Sequence, residues 1–80
     1  MEFEINENSP VHGYVQLADQ LREKIQSGTY ADTGRLPSLK KLIDQSGLSL
    51  STVQRAVELL KKEGVVYGVR GRGVFIGKPS

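Results

Sequence analysis

Tyr14, Leu17, Ala18, Leu21 and Ile25 recur three and four positions apart, the spacing of one face of an α-helix. Asp19, Gln20, Arg22, Glu23 and Lys24 fall mostly outside that stripe. The segment therefore predicts an amphipathic helix from Tyr14 to an end near Ser27-Gly28, with its stripe turned to a core. Thr29 to Gly34 follows as a short loop with Tyr30 as an apolar plug, and Arg35-Leu36 reads as a very short strand. Pro37 cannot continue a ladder, and Ser38 is placed to cap the next helix, Leu39 to Ser46. That helix turns Leu39, Leu42 and Ile43 inward and Lys40, Lys41, Asp44 and Gln45 outward. Gly47, within Ser46-Gly47-Leu48, supplies the positive φ of a tight turn.

A third helical pattern runs from Ser49 to Gly64, with Val53, Ala56, Val57 and Leu60 on one face. Ser49 is its N-cap and Gly64 its stop, with Lys61 and Lys62 where cations suit the helix dipole. The other face carries Ser51, Thr52, Gln54 and Arg55 near its start, groups that read base edges and grip phosphates. Two short helices joined by a glycine turn, the second opening on polar groups, match a helix-turn-helix over about 38–62. The second of them, 49–63, is then a DNA recognition helix. A generic helical hairpin gives the same pattern without that function.

After Gly64 the period becomes extended. Val65 to Val69 and Val74 to Ile76 are β-branched or aromatic runs around Arg70-Gly71-Arg72-Gly73, which predicts a hairpin over about 65–77. Behind a helix-turn-helix such a hairpin is a wing, its Gly71 admitting close backbone approach and its Arg70 and Arg72 supplying charge. The competing reading is a solvated turn whose arginines keep the edge soluble. Upstream, Met1 to Pro10 sets Phe3 and Ile5 among acids, and reads either as a short edge strand or as an arm packing two apolar side chains. The organisation is thus an arm over 1–10 and one α+β, mainly α, domain over 11–78: three helices and a C-terminal β-hairpin.

Composition narrows the chemistry. The 80 residues lack cysteine, which removes disulfides and thiolate metal sites, and the single histidine, His12, has no cluster of ligands beside it. His12 reads as a surface or capping residue, and neither a metal nor a cofactor is expected. No apolar run approaches a membrane span and the acidic start does not resemble a signal peptide, so the expected location is cytoplasmic. The net charge of +2 hides an asymmetry. Residues 1–34 hold two basic groups against six acidic ones, a balance of −4, whereas residues 35–80 hold nine against three, a balance of +6. That polarity suits one face for a polyanion and another turned away.

These residues resemble the GntR-type winged helix-turn-helix regulators from about Tyr14 to Ile76. The resemblance rests on Leu17-Ala18-Asp19-Gln20-Leu21-Arg22, Gly34-Arg35-Leu36-Pro37-Ser38, Ser51-Thr52-Val53 with Ala56, Glu63-Gly64-Val65-Val66, and Gly71 to Ile76. Phe3-Glu4-Ile5 through Ser9-Pro10 is similar to the start of the YtrA-like branch. The resemblance implies a three-helix winged domain that binds operator DNA, usually as a homodimer on a palindrome, often as a repressor. It implies DNA contacts at Lys40, at Leu50, Ser51, Thr52 and Gln54, and at Arg70, Gly71 and Arg72. Any effector ligand would bind a domain that these residues do not encode. Acids common in the family at the positions of Leu39, Lys41 and Arg55 are absent, and Leu50 and Gln54 stand where recognition arginines are frequent. Leu50 suits a thymine methyl and Gln54 a bidentate contact to adenine.

The leading expectation is sequence-specific binding of double-stranded DNA by Arg35, Ser38, Lys40, Ser49, Leu50, Ser51, Thr52, Gln54, Arg55, Arg70, Gly71 and Arg72. The alternative is a winged helix used for protein contact or dimerisation without DNA. Catalysis has little to stand on, since the sequence holds no nucleophile–base pair, no metal-ligand cluster and no phosphate loop.

Overall fold

A computed structural model describes residues 2–78. Three helices, α1 (Gly13–Gln26), α2 (Leu39–Ser46) and α3 (Leu50–Lys62), precede an antiparallel hairpin of β1 (Val66–Val69) and β2 (Gly73–Ile76). Leu17, Ala18 and Leu21 of α1 are buried with Val53, Ala56, Val57 and Leu60 of α3, so the two apolar stripes make the principal helix–helix contact. Leu42 of α2, Leu36 and Val66 close the same core. Each fully buried leucine contributes about 1.5–3 kcal/mol over an exposed one, which outweighs the modest helix propensity of an eight-residue α2.

Local chemistry sets the helix ends. Ser38 Oγ accepts from the Lys41 amide at 3.2 Å, and Ser49 Oγ from the Thr52 amide at 3.3 Å. Both serines thereby pair a first-turn amide that has no intrahelical acceptor. Gly47, at φ 75°, ends α2 in the left-handed conformation, its amide donating to the Ile43 carbonyl. Arg35 forms an isolated bridge to Phe75, and the Leu36 amide donates to the Val74 carbonyl at 2.9 Å. The very short strand thus lies against β2, on the side away from β1. Tyr67 and Phe75 stack across the hairpin with ring centroids 5.9 Å apart.

The N-terminal stretch is an arm, held by side chains and not by a ladder. Gln20 Oε1 accepts from the Glu4 amide at 2.9 Å, while its Nε2 donates to the Glu4 carbonyl at 2.7 Å. Gln16 repeats the arrangement on Asn6, at 2.8 and 3.0 Å. Two residues of extended chain advance about 6.6 Å, and four residues of helix about 6 Å. Amide side chains one turn apart on α1 therefore reach alternate arm residues. Phe3, on the other side of the arm, is 1% exposed, and its amide donates to the Gln45 carbonyl of α2 at 3.2 Å.

Gln45, expected outward, is half-buried, and its Oε1 is enclosed without a hydrogen-bond partner among the described residues. The helical period cannot anticipate this, because it does not encode how α2 packs on the rest of the fold; the Gln45 carbonyl, for one, takes the Phe3 amide. Lys40, Lys41 and Asp44 are exposed, as their positions on the helix require. Tyr30 is half-buried against the core, and burial, assisted by Glu2, pushes its phenol above its ordinary pKa.

Arg22 ties the far ends of α1 and α3 together. Its Nε and Nη2 donate to the two carboxylate oxygens of Glu63, each at 2.9 Å, and Nη1 donates to Asp19 at 2.7 Å. Hydrogen bonds to Asp19 and then Glu63 hold the guanidinium charged even more firmly than usual. The planar fork fixes direction as well as distance, so α3 is braced at its C-terminal end.

Candidate nucleic-acid interface

Helix α3 buries one face and leaves Leu50, Ser51, Gln54, Arg55, Glu58 and Lys62 exposed. At about 100° per residue these positions span an arc of roughly 140°. Gln54 and Arg55 therefore share one exposed ridge. Leu50 is 50% exposed, so its apolar side chain is open to a partner. Thr52 differs from its neighbours: it is half-buried, and its hydroxyl lies 2.9 Å from Ser49 Oγ. Ser51 Oγ lies 3.3 Å from the same atom. The hydroxyls of Ser49, Ser51 and Thr52 form one local network around the helix start.

The wing and the start of α2 border an open groove. Ser38, Leu39 and Lys41 line it from α2, Val57 and Lys61 from α3, and Arg70, Gly71 and Arg72 from the hairpin tip. The tip is a tight turn closed by the Arg72 amide on the Val69 carbonyl at 2.9 Å. Gly71, at φ 77°, occupies the position of a type II turn that requires a positive φ. Open space surrounds the place where its Cβ would stand, so the approach to this backbone is clear. Arg35 Nη1 donates to the Arg72 carbonyl at 3.2 Å, which braces the tip from the strand before α2.

Charge is distributed to match. The ion pairs among the described residues are Arg22 with Asp19 and Glu63, Lys24 with Glu2, and Lys61 with Glu58. Arg35, Lys40, Lys41, Arg55, Arg70 and Arg72 enter none of them, and all six are exposed. Apart from the one Arg35 donor that the Arg72 carbonyl takes, these cations keep their donors for a polyanion. Lys61 is less free, with its ammonium 3.2 Å from Glu58 and lying over Gly68 of β1.

The predicted residues thus fall into two groups. Arg35, Ser38, Arg70, Gly71 and Arg72 meet at the groove, with Lys40 exposed beside Ser38 at the start of α2. Ser51, Thr52 and Arg55 border a second, smaller hollow that includes His12, Gly13 and Tyr14 at the start of α1. Ser49, Leu50 and Gln54, at the start of α3, line neither. Tyr14 reads from the sequence as core stripe. It is half-buried, with the Arg55 guanidinium carbon 4.3 Å above its ring centroid and His12 stacked beside it at 6.0 Å. Its place at the outer end of the α1 stripe is the only sequence signal for that exposure.

Comparison with known proteins agrees with this architecture. The model of the family described as bacterial regulatory proteins, gntR family, matches residues 13–76. The HTH-type transcriptional repressor NagR of Bacillus subtilis is 39% identical over 95% of the chain, which covers 31% of NagR. The histidine utilization repressor of Klebsiella aerogenes is 33% identical over 91% of the chain, covering 30% of that protein. The chain spans about a third of the length of these curated relatives. Among solved structures, YtrA from Sulfolobus acidocaldarius, a GntR-family transcription factor, superposes with a TM-score of 0.84 at 29% identity. That match covers 100% of this chain and 84% of the YtrA chain.

Proposed function

Because the chain belongs to the gntR family of bacterial regulatory proteins, we propose that residues 11–78 are the DNA-binding domain of a transcriptional regulator. In this reading α3 enters the major groove of a double-stranded operator, while the wing follows the adjacent backbone or minor groove. The observation that carries it is the placement of cations. Arg55 on α3, Lys40 on α2 and Arg70 and Arg72 on the wing are exposed and lie outside every ion pair of the described residues. The ridge of Leu50, Ser51 and Gln54 lies with them, supplying groups suited to base edges.

NagR and the histidine utilization repressor are repressors, and repression is the regulatory sense we propose for this domain. Two copies on a palindrome would set half-sites about 10 base pairs apart, or a multiple of that spacing. No helix among the described residues is long and apolar enough to cross a membrane, and the site of action is the cytoplasm, where a bacterial operator lies. Catalysis, metals and cofactors have no part in this reading.

Selection of bound duplexes from a randomised pool tests it. The chain should enrich a defined half-site. Gln54→Ala should relax the preference at one position, costing about 1–3 kcal/mol there and leaving the others intact. A pool that stays random would favour a protein-contact module, and an unchanged preference in the variant would remove Gln54 as a base reader.

A further inference from the structure

The hollow between the starts of α1 and α3 holds an arrangement that core packing does not explain. Arg55 is exposed, has no ion-pair partner among the described residues, and lies with its guanidinium carbon 4.3 Å over the Tyr14 ring. Ser51 and Thr52 share the hollow's lining. We propose that Tyr14 is a positioning residue for DNA binding. Its ring holds the Arg55 guanidinium at this edge of α3, where the guanidinium grips a backbone phosphate of the duplex.

The choice of partner matters physically. A free arginine samples many rotamers, and ordering it on binding costs affinity. A carboxylate would order it but would also neutralise it and occupy its N–H donors. An aromatic face orders the guanidinium through the ring quadrupole and leaves the in-plane donors free. The wing lies beyond the other edge of α3, alongside Val57 and Lys61. Arg55 and the wing arginines would therefore take phosphates on opposite sides of the exposed ridge, which fixes how α3 sits across the groove. This inference rests on the DNA-binding reading above and deepens it.

Fluorescence anisotropy of the full chain with a labelled 20-base-pair duplex, titrated across salt, tests the proposal. Removing one phosphate contact lowers the magnitude of the log affinity against log salt slope by about 0.9 and weakens binding about eight-fold at 0.1 M salt. Arg55→Ala should show both effects with base preference retained. Tyr14→Leu should weaken binding about two- to five-fold, the worth of an exposed cation–π contact, while Tyr14→Phe should bind as the parent does. In the R55A background Tyr14→Leu should cause no further loss. Equal losses from Tyr14→Phe and Tyr14→Leu, or an undiminished Tyr14→Leu effect in the R55A background, would overturn the positioning role. So would an R55A slope equal to the parent's. A parent that shows no salt-sensitive binding would instead overturn the DNA-binding reading itself.

Discussion

Replacing Phe3 by alanine is expected to lower the unfolding free energy by about 3 kcal/mol, at the low end of the range for burying and then deleting a phenyl ring. A domain of this size has only about 4–12 kcal/mol in total, so a residue two positions from the chain start would govern a large share of its stability. The reason is placement. Phe3 is 1% exposed within the same core as Leu17, Leu21 and Leu42, and the arm that carries it is clipped at Glu4 and Asn6 by Gln20 and Gln16. The low end of the range applies because the arm can peel away and spare the core an enclosed cavity. Urea denaturation followed by circular dichroism reads the effect as a shifted midpoint. A loss below about 1 kcal/mol would mean that the arm is dispensable, since such values are typical of surface positions.

The second large effect concerns binding. Replacing Lys40, Arg70 and Arg72 together by alanine should reduce affinity for duplex DNA about 500-fold at 0.1 M salt, or ~3.7 kcal/mol. The four proposed phosphate contacts, these three with Arg55, would give a slope of log affinity on log salt near −3.6, at about −0.9 per contact, and the triple variant should retain about −0.9. Stability should change little, because all three side chains are exposed and none is held by an acid within the described residues. Lys40 lies in the first turn of α2, where a cation opposes the helix dipole, so its removal alone is more apt to help folding than to harm it. Anisotropy titrations at several salt concentrations, set beside thermal melts, separate the two quantities. An unchanged slope would place the phosphate contacts elsewhere.

What the sequence made legible was whatever repeats with the period of a helix or a strand. The stripes of α1 and α3, the Ser38 and Ser49 caps, the Gly47 turn and the hairpin all follow from local rules, and each is present. The features it hid depend on partners distant along the chain. Gln16 and Gln20 look like any solvated pair one turn apart, yet they take the place of a neighbouring strand for the arm. Gln45 looks outward, yet its side chain is half-buried and its carbonyl takes the Phe3 amide. Tyr14 fits the apolar stripe, and only the packing of α1 on α3 shows its ring facing Arg55. On α3, residue type and helical position identified an exposed ridge, but could not show that Thr52 turns its hydroxyl back onto Ser49.

In the proposed geometry the start of α3, the start of α2 and the wing tip present one surface to a duplex. Amide chemical-shift mapping of the 80-residue chain on titration with duplex DNA tests it most directly. The shifts should concentrate at Ser38–Lys40, Ser49–Arg55 and Arg70–Arg72, and leave the acidic positions Glu4, Glu7 and Glu23 unmoved. Shifts centred on Glu4, Glu7 and Glu23, or none at all, would contradict that geometry.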